Sequence, residues 1–150
     1  MYDAHVGFEV VAIEVDPDWH GVRATIDAAD GRRLTVETDG PGRWLVDGNH
    51  TPVLDGCLDI DLEGSALTNT APVHRLGLDV GAEGDSAAVY VRSDLFVERL
   101  DQTYRRLPAE HGFAFEYASP RFDYRATLVF AADGLVADYP GIAERVDVLH

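Results

Sequence analysis

Apolar and polar residues alternate with a period of two through most of this chain. From Gly21 to Ala28, residues Val22, Ala24, Ile26 and Ala28 fall on one face and Arg23, Thr25 and Asp27 on the other, the pattern of a half-buried strand. Arg32 to Thr38 repeats it with Leu34 and Val36 inward. Arg43 to Val46 is a short strand carrying Trp44, and Gly7 to Val15 is a run of apolar and β-branched residues. Further along, Val73 to Val80, Ser86 to Arg92, Phe113 to Ala118, Tyr124 to Phe130 and Leu135 to Tyr139 also read as strands. Phe96 to Tyr104 fits both a helical and a strand period. With no N-cap and closing glycine to frame a helix, it is read as strand. The tail from Ile142 to His150 reads as a short helical turn or as frayed chain.

The punctuation is as regular as the strands. Asp-Gly occurs at Asp30-Gly31, Asp39-Gly40, Asp47-Gly48 and Asp55-Gly56, every eight or nine residues. Both central residues of a type I′ turn need positive φ, which suits Asp-Gly to tight hairpins. Glu83-Gly84 and Ala132 to Gly134 mark further turns. Strands joined in this way form an antiparallel meander. About ten to twelve of them in one 150-residue domain imply an all-β sandwich or a curled, barrel-like sheet that protects its edges. The expectation is a single domain over residues 1–150.

Charge sharpens the picture. The chain has 27 acidic residues against 12 basic ones, a formal net charge of −15, and every basic residue is an arginine. Such a surface repels a phosphate backbone and anionic membranes, so no nucleic-acid partner is expected. The N-terminal residues carry neither a basic region nor a long apolar run. They predict no signal peptide and no membrane span, and therefore a cytoplasmic protein. Self-repulsion at this charge destabilises a compact state unless salt screens it, which points to a salt-adapted, halophilic source. A genome of high GC content would explain the missing lysine but not the excess of acid. The single cysteine, Cys57, has no partner for a disulfide or a CxxC metal site and reads as a small buried hydrophobe.

The densest stretch is Asp55 to Leu76, DGCLDIDLEGSALTNTAPVHRL. Leu58, Ile60 and Leu62 alternate with Asp59 and Asp61. On a strand the two carboxylates share a face about 7 Å apart, either as a pair for acid/base or metal chemistry or as the solvated face of an acidic protein. Leu67 to Pro72 reads as a polar loop in which Asn69 can bridge backbone groups. His74 and Arg75 then open a strand. Arg75 there can neutralise Asp59 or Asp61 across neighbouring strands, or receive an anionic head group.

These residues resemble the glycolipid-binding protein family of bacteria and archaea. The resemblance rests on GCLDIDL (56–62), TNTAPVHRL (68–76), Asp101 to Tyr104, the aromatic strand from Phe122 to Leu128, and the closing DGLV and DYPG segments. Gly42 to Trp44 and Asp47-Gly48 add to it. It implies an antiparallel, many-stranded sheet curled into a partly open barrel, a spiral β-roll like that of lipoprotein carriers. The implied partner is an amphipathic, glycolipid-like small molecule held in the concave face. The N-terminal part reads as short for the family, so one wall of the roll would be missing or supplied by a second chain, as in a homodimer. Sugar hydroxyls would suit Asp59, Asp61, Asn69 and Gln102, with Trp44, Tyr104 or Tyr139 as stacking faces and Arg75 as a further contact. Each aromatic also reads as ordinary core packing.

Little else in the chain carries chemistry. The histidines at 5, 20, 50, 74, 111 and 150 form no HxH or HExxH motif, so no metal or other cofactor is expected. No GxSxG elbow or phosphate loop is present. Two other readings stand beside the carrier: a non-enzymatic interaction or dimerisation domain with a filled core, and a hydrolase or isomerase built on Asp59, Asp61 and Arg75. The charge makes the first test a simple one. Between about 0.1 M and about 3 M KCl, where the Debye length falls from about 10 Å to below about 3 Å, the melting temperature is expected to rise. A flat or falling melting temperature would sink the salt-adaptation reading.

Overall fold

The computed structural model describes residues 8–40, 42–63, 66–110, 112–130, 136–139 and 143–144, and only the backbone of 8–11, 66–67, 136–139 and 143–144. The chain is all-β, with two sheets, one of them a strongly curled half-barrel. The first sheet is the antiparallel meander β1 (Phe8–Val15), β2 (Gly21–Ala28), β3 (Arg33–Thr38), β4 (Trp44–Val46) and β5 (Asn49–His50). The second contains β6 (Asp59–Leu62), β7 (Glu83–Val91), β8 (Val97–Leu107), β9 (Phe113–Ser119), β10 (Tyr124–Phe130), β11 (Val136–Tyr139) and β12 (Ala143–Glu144), in the order β12-β11-β10-β9-β8-β7-β6. The described residues divide into two compact units, one within 1–63 and 87–100, the other within 64–86 and 101–150.

In the first unit, Ala24, Ile26, Leu34 and Val36 point inward from β2 and β3, as their alternation requires. They form one core with Ile60, Leu62, Val89 and Val91 of β6 and β7. Cys57 is fully buried in it, as expected. Trp44 is also fully buried, and its indole N–H donates to the Cys57 carbonyl at 2.9 Å. Of the four Asp-Gly pairs among the described residues, only Asp47-Gly48 has both residues at positive φ (49° and 85°), closing the two-residue loop between Val46 and Asn49. At the other three pairs only the glycine is left-handed. Between β2 and β3, for example, three residues lie between Ala28 and Arg32, whose backbones are hydrogen-bonded, and Gly31 donates to the Ala28 carbonyl.

Two expectations from the sequence are corrected. Thr68 to Leu76 is not a loop followed by a strand. A 3-10 turn (Ala66–Asn69) runs into a helix, α1 (Thr70–Leu76), which stops at Gly77 in the left-handed conformation. Pro72 lies in the first turn, where a missing N–H costs no helical bond. The apparent strand alternation of Leu76, Leu78 and Val80 is broken: Leu76 ends the helix, and Val80 is 56% exposed. Nor is the pairing antiparallel throughout. β6 and β7 are parallel, with Asp59 opposite Ala88 and Leu62 opposite Val91. Parallel neighbours need a long crossover, usually helical, and α1 lies in that crossover.

Smaller differences follow. Glu83-Gly84 lies inside β7 rather than in a turn, and the turn falls at Asp79–Ala82, where the Ala82 N–H donates to the Asp79 carbonyl. The tail holds a two-residue strand, β12, instead of a helical turn, and the rest of that segment lies outside the described residues. The ambiguous Phe96 to Tyr104 segment is strand, as read. Among the described residues no helix is long and apolar enough to cross a membrane.

Close approach of backbone fixes one residue type in the first core. Gly21 donates its N–H to the Leu58 carbonyl at 2.8 Å, and a Cβ there would lie 2.9 Å from Ile60 Cγ1 and 3.3 Å from the Ile60 backbone nitrogen. Gly21→Ala is therefore expected to lower the unfolding free energy in urea by about 1–3 kcal/mol, the usual cost of overpacking. An unchanged midpoint would show that β2 and β6 are free to separate.

Candidate functional site

In the first unit, β6 sends Ile60 and Leu62 into the core and turns Asp59 and Asp61 the other way, opposite Ala88 and Tyr90 of β7. Asp59 is 1% exposed. Its side of the strand is thus not the solvated acidic face that alternation alone suggested, whereas Asp61 is half-buried. Arg75 stands in the last turn of α1 rather than on a strand beside β6. The strand placement expected of Arg75 is thus corrected: it lies on a helix, and Asp59 and Asp61 on a strand. His74 and Arg75 lie in the last turn of the helix, toward the negative end of the backbone dipole.

A cluster that the sequence reading passed over lies in the β1–β2 connection. Ligand-capable atoms of Asp16, Asp18 and His20 all lie within 4.8 Å of one another. They border a cleft of about 330 Å³ that also touches Thr38 and Leu58. Asp16 accepts from the backbone N–H groups of Asp18 and His20 at 2.8 and 2.9 Å, and its other oxygen lies 3.0 Å from His20 Nδ1. The His20 backbone N–H, with the smaller effects of the His20 ring and the Asp18 N–H, holds the Asp16 carboxyl below the usual carboxylate range against the opposing effect of burial. The donor set could hold a divalent cation. The Asp-x-Asp-x-His spacing was the signal available in the sequence.

The second unit gathers more of the expected residues. Gln102 and Tyr104 alternate onto one face of β8, and Tyr104 stands directly opposite Tyr117 of β9. Their rings meet edge to face at 5.3 Å. Asn69 Nδ2 donates to the Tyr104 hydroxyl at 2.6 Å, and Gln102 Nε2 donates to the Tyr117 hydroxyl at 2.6 Å. Tyr124 of β10 packs on Tyr117 at 6.0 Å, and burial pushes its phenol pKa up. All of Asn69, Gln102, Tyr104 and Tyr117 are buried, Tyr104 completely. Asn69 Oδ1 and Ser119 Oγ are buried with no hydrogen-bond partner, a cost of about 1–3 kcal/mol for each such group. Tyr139 lies in β11, with its side chain outside the described residues.

Beside this network an open cleft of about 220 Å³ lies against α1, β8 and β9. Val73, Leu78, Phe113 and Phe115 give it apolar walls, and His74, Asp79 and Arg106 supply polar groups. The apolar residues belong to the same cluster as Tyr104, Tyr117, Leu128 and Phe130. The guanidinium of Arg106 is held in place from two sides. Its Nη1 donates to the Leu78 carbonyl at 2.9 Å, and its Cζ lies 5.1 Å from the centre of the Phe113 ring. Neither Arg106 nor Tyr117 stood out in the sequence, since a strand-end arginine and a strand tyrosine carry no pattern of their own.

A family model described as "Putative glycolipid-binding" matches residues 6–145. A protein of the DUF1089 family from Pseudomonas aeruginosa, solved by crystallography, superposes with a TM-score of 0.79 at 36% sequence identity. The alignment covers 89% of this chain and 74% of that one. Among curated proteins none matches.

The Asn69–Tyr104 hydrogen bond is open to a direct test. Asn69 caps no helical N–H with its side chain, so Asn69→Leu removes the bond without removing a cap. Tyr104→Phe alone is expected to cost about 1–3 kcal/mol by leaving the amide without its acceptor. In urea unfolding, Asn69→Leu should cost less in that background than in the wild type, by a coupling of about 0.5–3 kcal/mol. Strictly additive losses would mean that the two groups do not work together.

Proposed function

The chain belongs to the glycolipid-binding family, and from that premise we propose that it binds an amphipathic, lipid-like ligand along the aromatic face of its second unit. The observation that carries this reading is the cleft beside α1. It sets apolar walls from Val73, Leu78, Phe113 and Phe115 against polar groups from His74, Asp79 and Arg106. A ligand with one greasy and one polar end meets both halves, and each buried CH₂ of its chain contributes about 0.8 kcal/mol. At about 220 Å³ the cleft is smaller than the roughly 300–1,000 Å³ of sites that swallow a whole drug-sized molecule. It therefore receives one end of a ligand. Tyr104 belongs to the same aromatic cluster as the cleft's apolar walls, and the buried, unpartnered Oδ1 of Asn69, which donates to the Tyr104 hydroxyl, is an acceptor still to be satisfied. Trp44, Asp59 and Asp61 lie in the first unit.

A second reading has an observation of its own. Tyr104 is fully buried, and Asn69 and Gln102 nearly so, which fits an interaction domain whose interior is filled with side chains. Native mass spectrometry separates the two. Protein purified in high salt and exchanged into ammonium acetate is expected to carry a co-purified lipid of defined mass, released by solvent extraction. A clean apo-protein that also fails to bind any added single-chain amphiphile would overturn the carrier reading. The same spectrum would report a monomer or a homodimer.

A further inference from the structure

Seven arginines among the described residues lie within ion-pair distance of a carboxylate. Arg23 reaches Glu14 and Glu37, Arg32 pairs with Asp30, Arg33 with Asp27, and Arg43 with Asp39. Arg92 contacts Glu98, while Arg105 and Arg125 share Glu116. With 27 acids for 12 arginines, a carboxylate is within easy reach of most positions. Arg106 is different. Among the described residues its side chain makes no ion pair, and its contacts are a backbone carbonyl and an aromatic face. It is half-buried on the wall of the cleft beside α1, with His74 on the same wall. A guanidinium offers five N–H donors in a planar fork, and one of them is committed to Leu78. Held on both sides, it is already oriented before anything binds, so little side-chain freedom remains to be lost.

We infer that Arg106 receives a carboxylate on the polar end of an amphiphile, whose apolar part lies against Phe113 and Phe115. This rests on the amphiphile reading above and names the chemistry of the ligand's head. Charge complementarity carries the argument. An unneutralised cation beside apolar walls costs desolvation unless an anion completes it, and the fork matches the two oxygens of a carboxylate. Asp79 on the same cleft, outside ion-pair reach of Arg106, adds negative potential that favours a singly charged head over a doubly charged phosphate.

The test uses two probes that differ by one carboxylate, decyl glucoside and decyl glucuronide. They are titrated by calorimetry below their micelle concentrations, at the lowest salt that keeps the chain folded. The glucuronide is expected to bind at least about tenfold more tightly, as a charge-assisted hydrogen bond predicts. Arg106→Gln should bring the two affinities close together. Arg106→Lys, which keeps the charge but not the fork, should retain part of the preference and serves if the glutamine variant fails to fold. Decanoate binding as tightly as the glucuronide would identify a plain fatty carboxylate as sufficient, within the same inference. Equal affinities of glucoside and glucuronide for the wild type would overturn the role of Arg106 while leaving the amphiphile reading intact. Glucuronate binding as well without its chain would overturn the amphipathic part. Failure of every decyl probe to bind would bring down the amphiphile reading itself.

Discussion

The parallel pairing of β6 with β7 is the constraint from which much of this architecture follows. Four residues of β6, Asp59 to Leu62, lie in register with Ala88 to Val91, which places Ile60 and Leu62 beside Val89 and Val91 in one apolar core. An antiparallel partner could have followed after a two-residue turn. A parallel one cannot, because the chain must first return to the starting end. The intervening residues are therefore obliged to form a crossover, and in this chain that crossover holds α1. Val73 and Leu76 of the helix then pack on the aromatic cluster of the second unit.

Charge organises the surface in a complementary way. With every basic residue an arginine, each cation presents a planar fork, and the pairs reflect it. Arg33 meets both oxygens of Asp27, at 2.6 and 3.1 Å, which draws the Asp27 carboxyl down and the Arg33 guanidinium up from their ordinary pKa values. Arg32 Nε donates to one oxygen of Asp30, whose other oxygen accepts the Arg32 backbone N–H in the loop after β2, and that backbone bond, ahead of the side-chain one, lowers the Asp30 carboxyl pKa. At exposed positions such pairs contribute little individually. They do dispose of most of the positive charge locally, which is why a guanidinium set instead against an aromatic ring and a carbonyl is informative.

Much of the fold could be read from alternation, because a strand half-buried on one face writes its geometry into every second residue. β2, β3, β9 and β10 were visible for that reason. α1 was not. Seven residues show barely two turns, its Pro72 reads as a loop residue out of context, and Leu76 with Leu78 counterfeits a period of two. The direction of the β6–β7 pairing was equally hidden, since alternation is the same for parallel and antiparallel neighbours. Of the ligand candidates, Asn69, Gln102 and Tyr104 do come together with one another. Their polarity amid apolar neighbours was the signal, and the sequence could not show that they hydrogen-bond to tyrosines instead of facing solvent. Trp44 stood out as an aromatic, but its N–H was already committed to the Cys57 carbonyl. Arg106 and the Asp16, Asp18 and His20 cluster depend on distances through space or across a loop, which periodicity does not encode.

The first unit is discontinuous along the chain, and this matters while the protein is being made. Its meander, β1 to β5, leaves the ribosome early, followed by β6. The core that covers their apolar side chains still lacks Val89 and Val91, which arrive only after α1 and its flanking turns have been synthesised. Domains tend to fold as units, and incomplete ones expose apolar surface and strand edges. For the time needed to translate the crossover, the cluster that holds Ile26, Val36 and Leu62 is incomplete. A formal net charge of −15 works against contact between such unfinished copies.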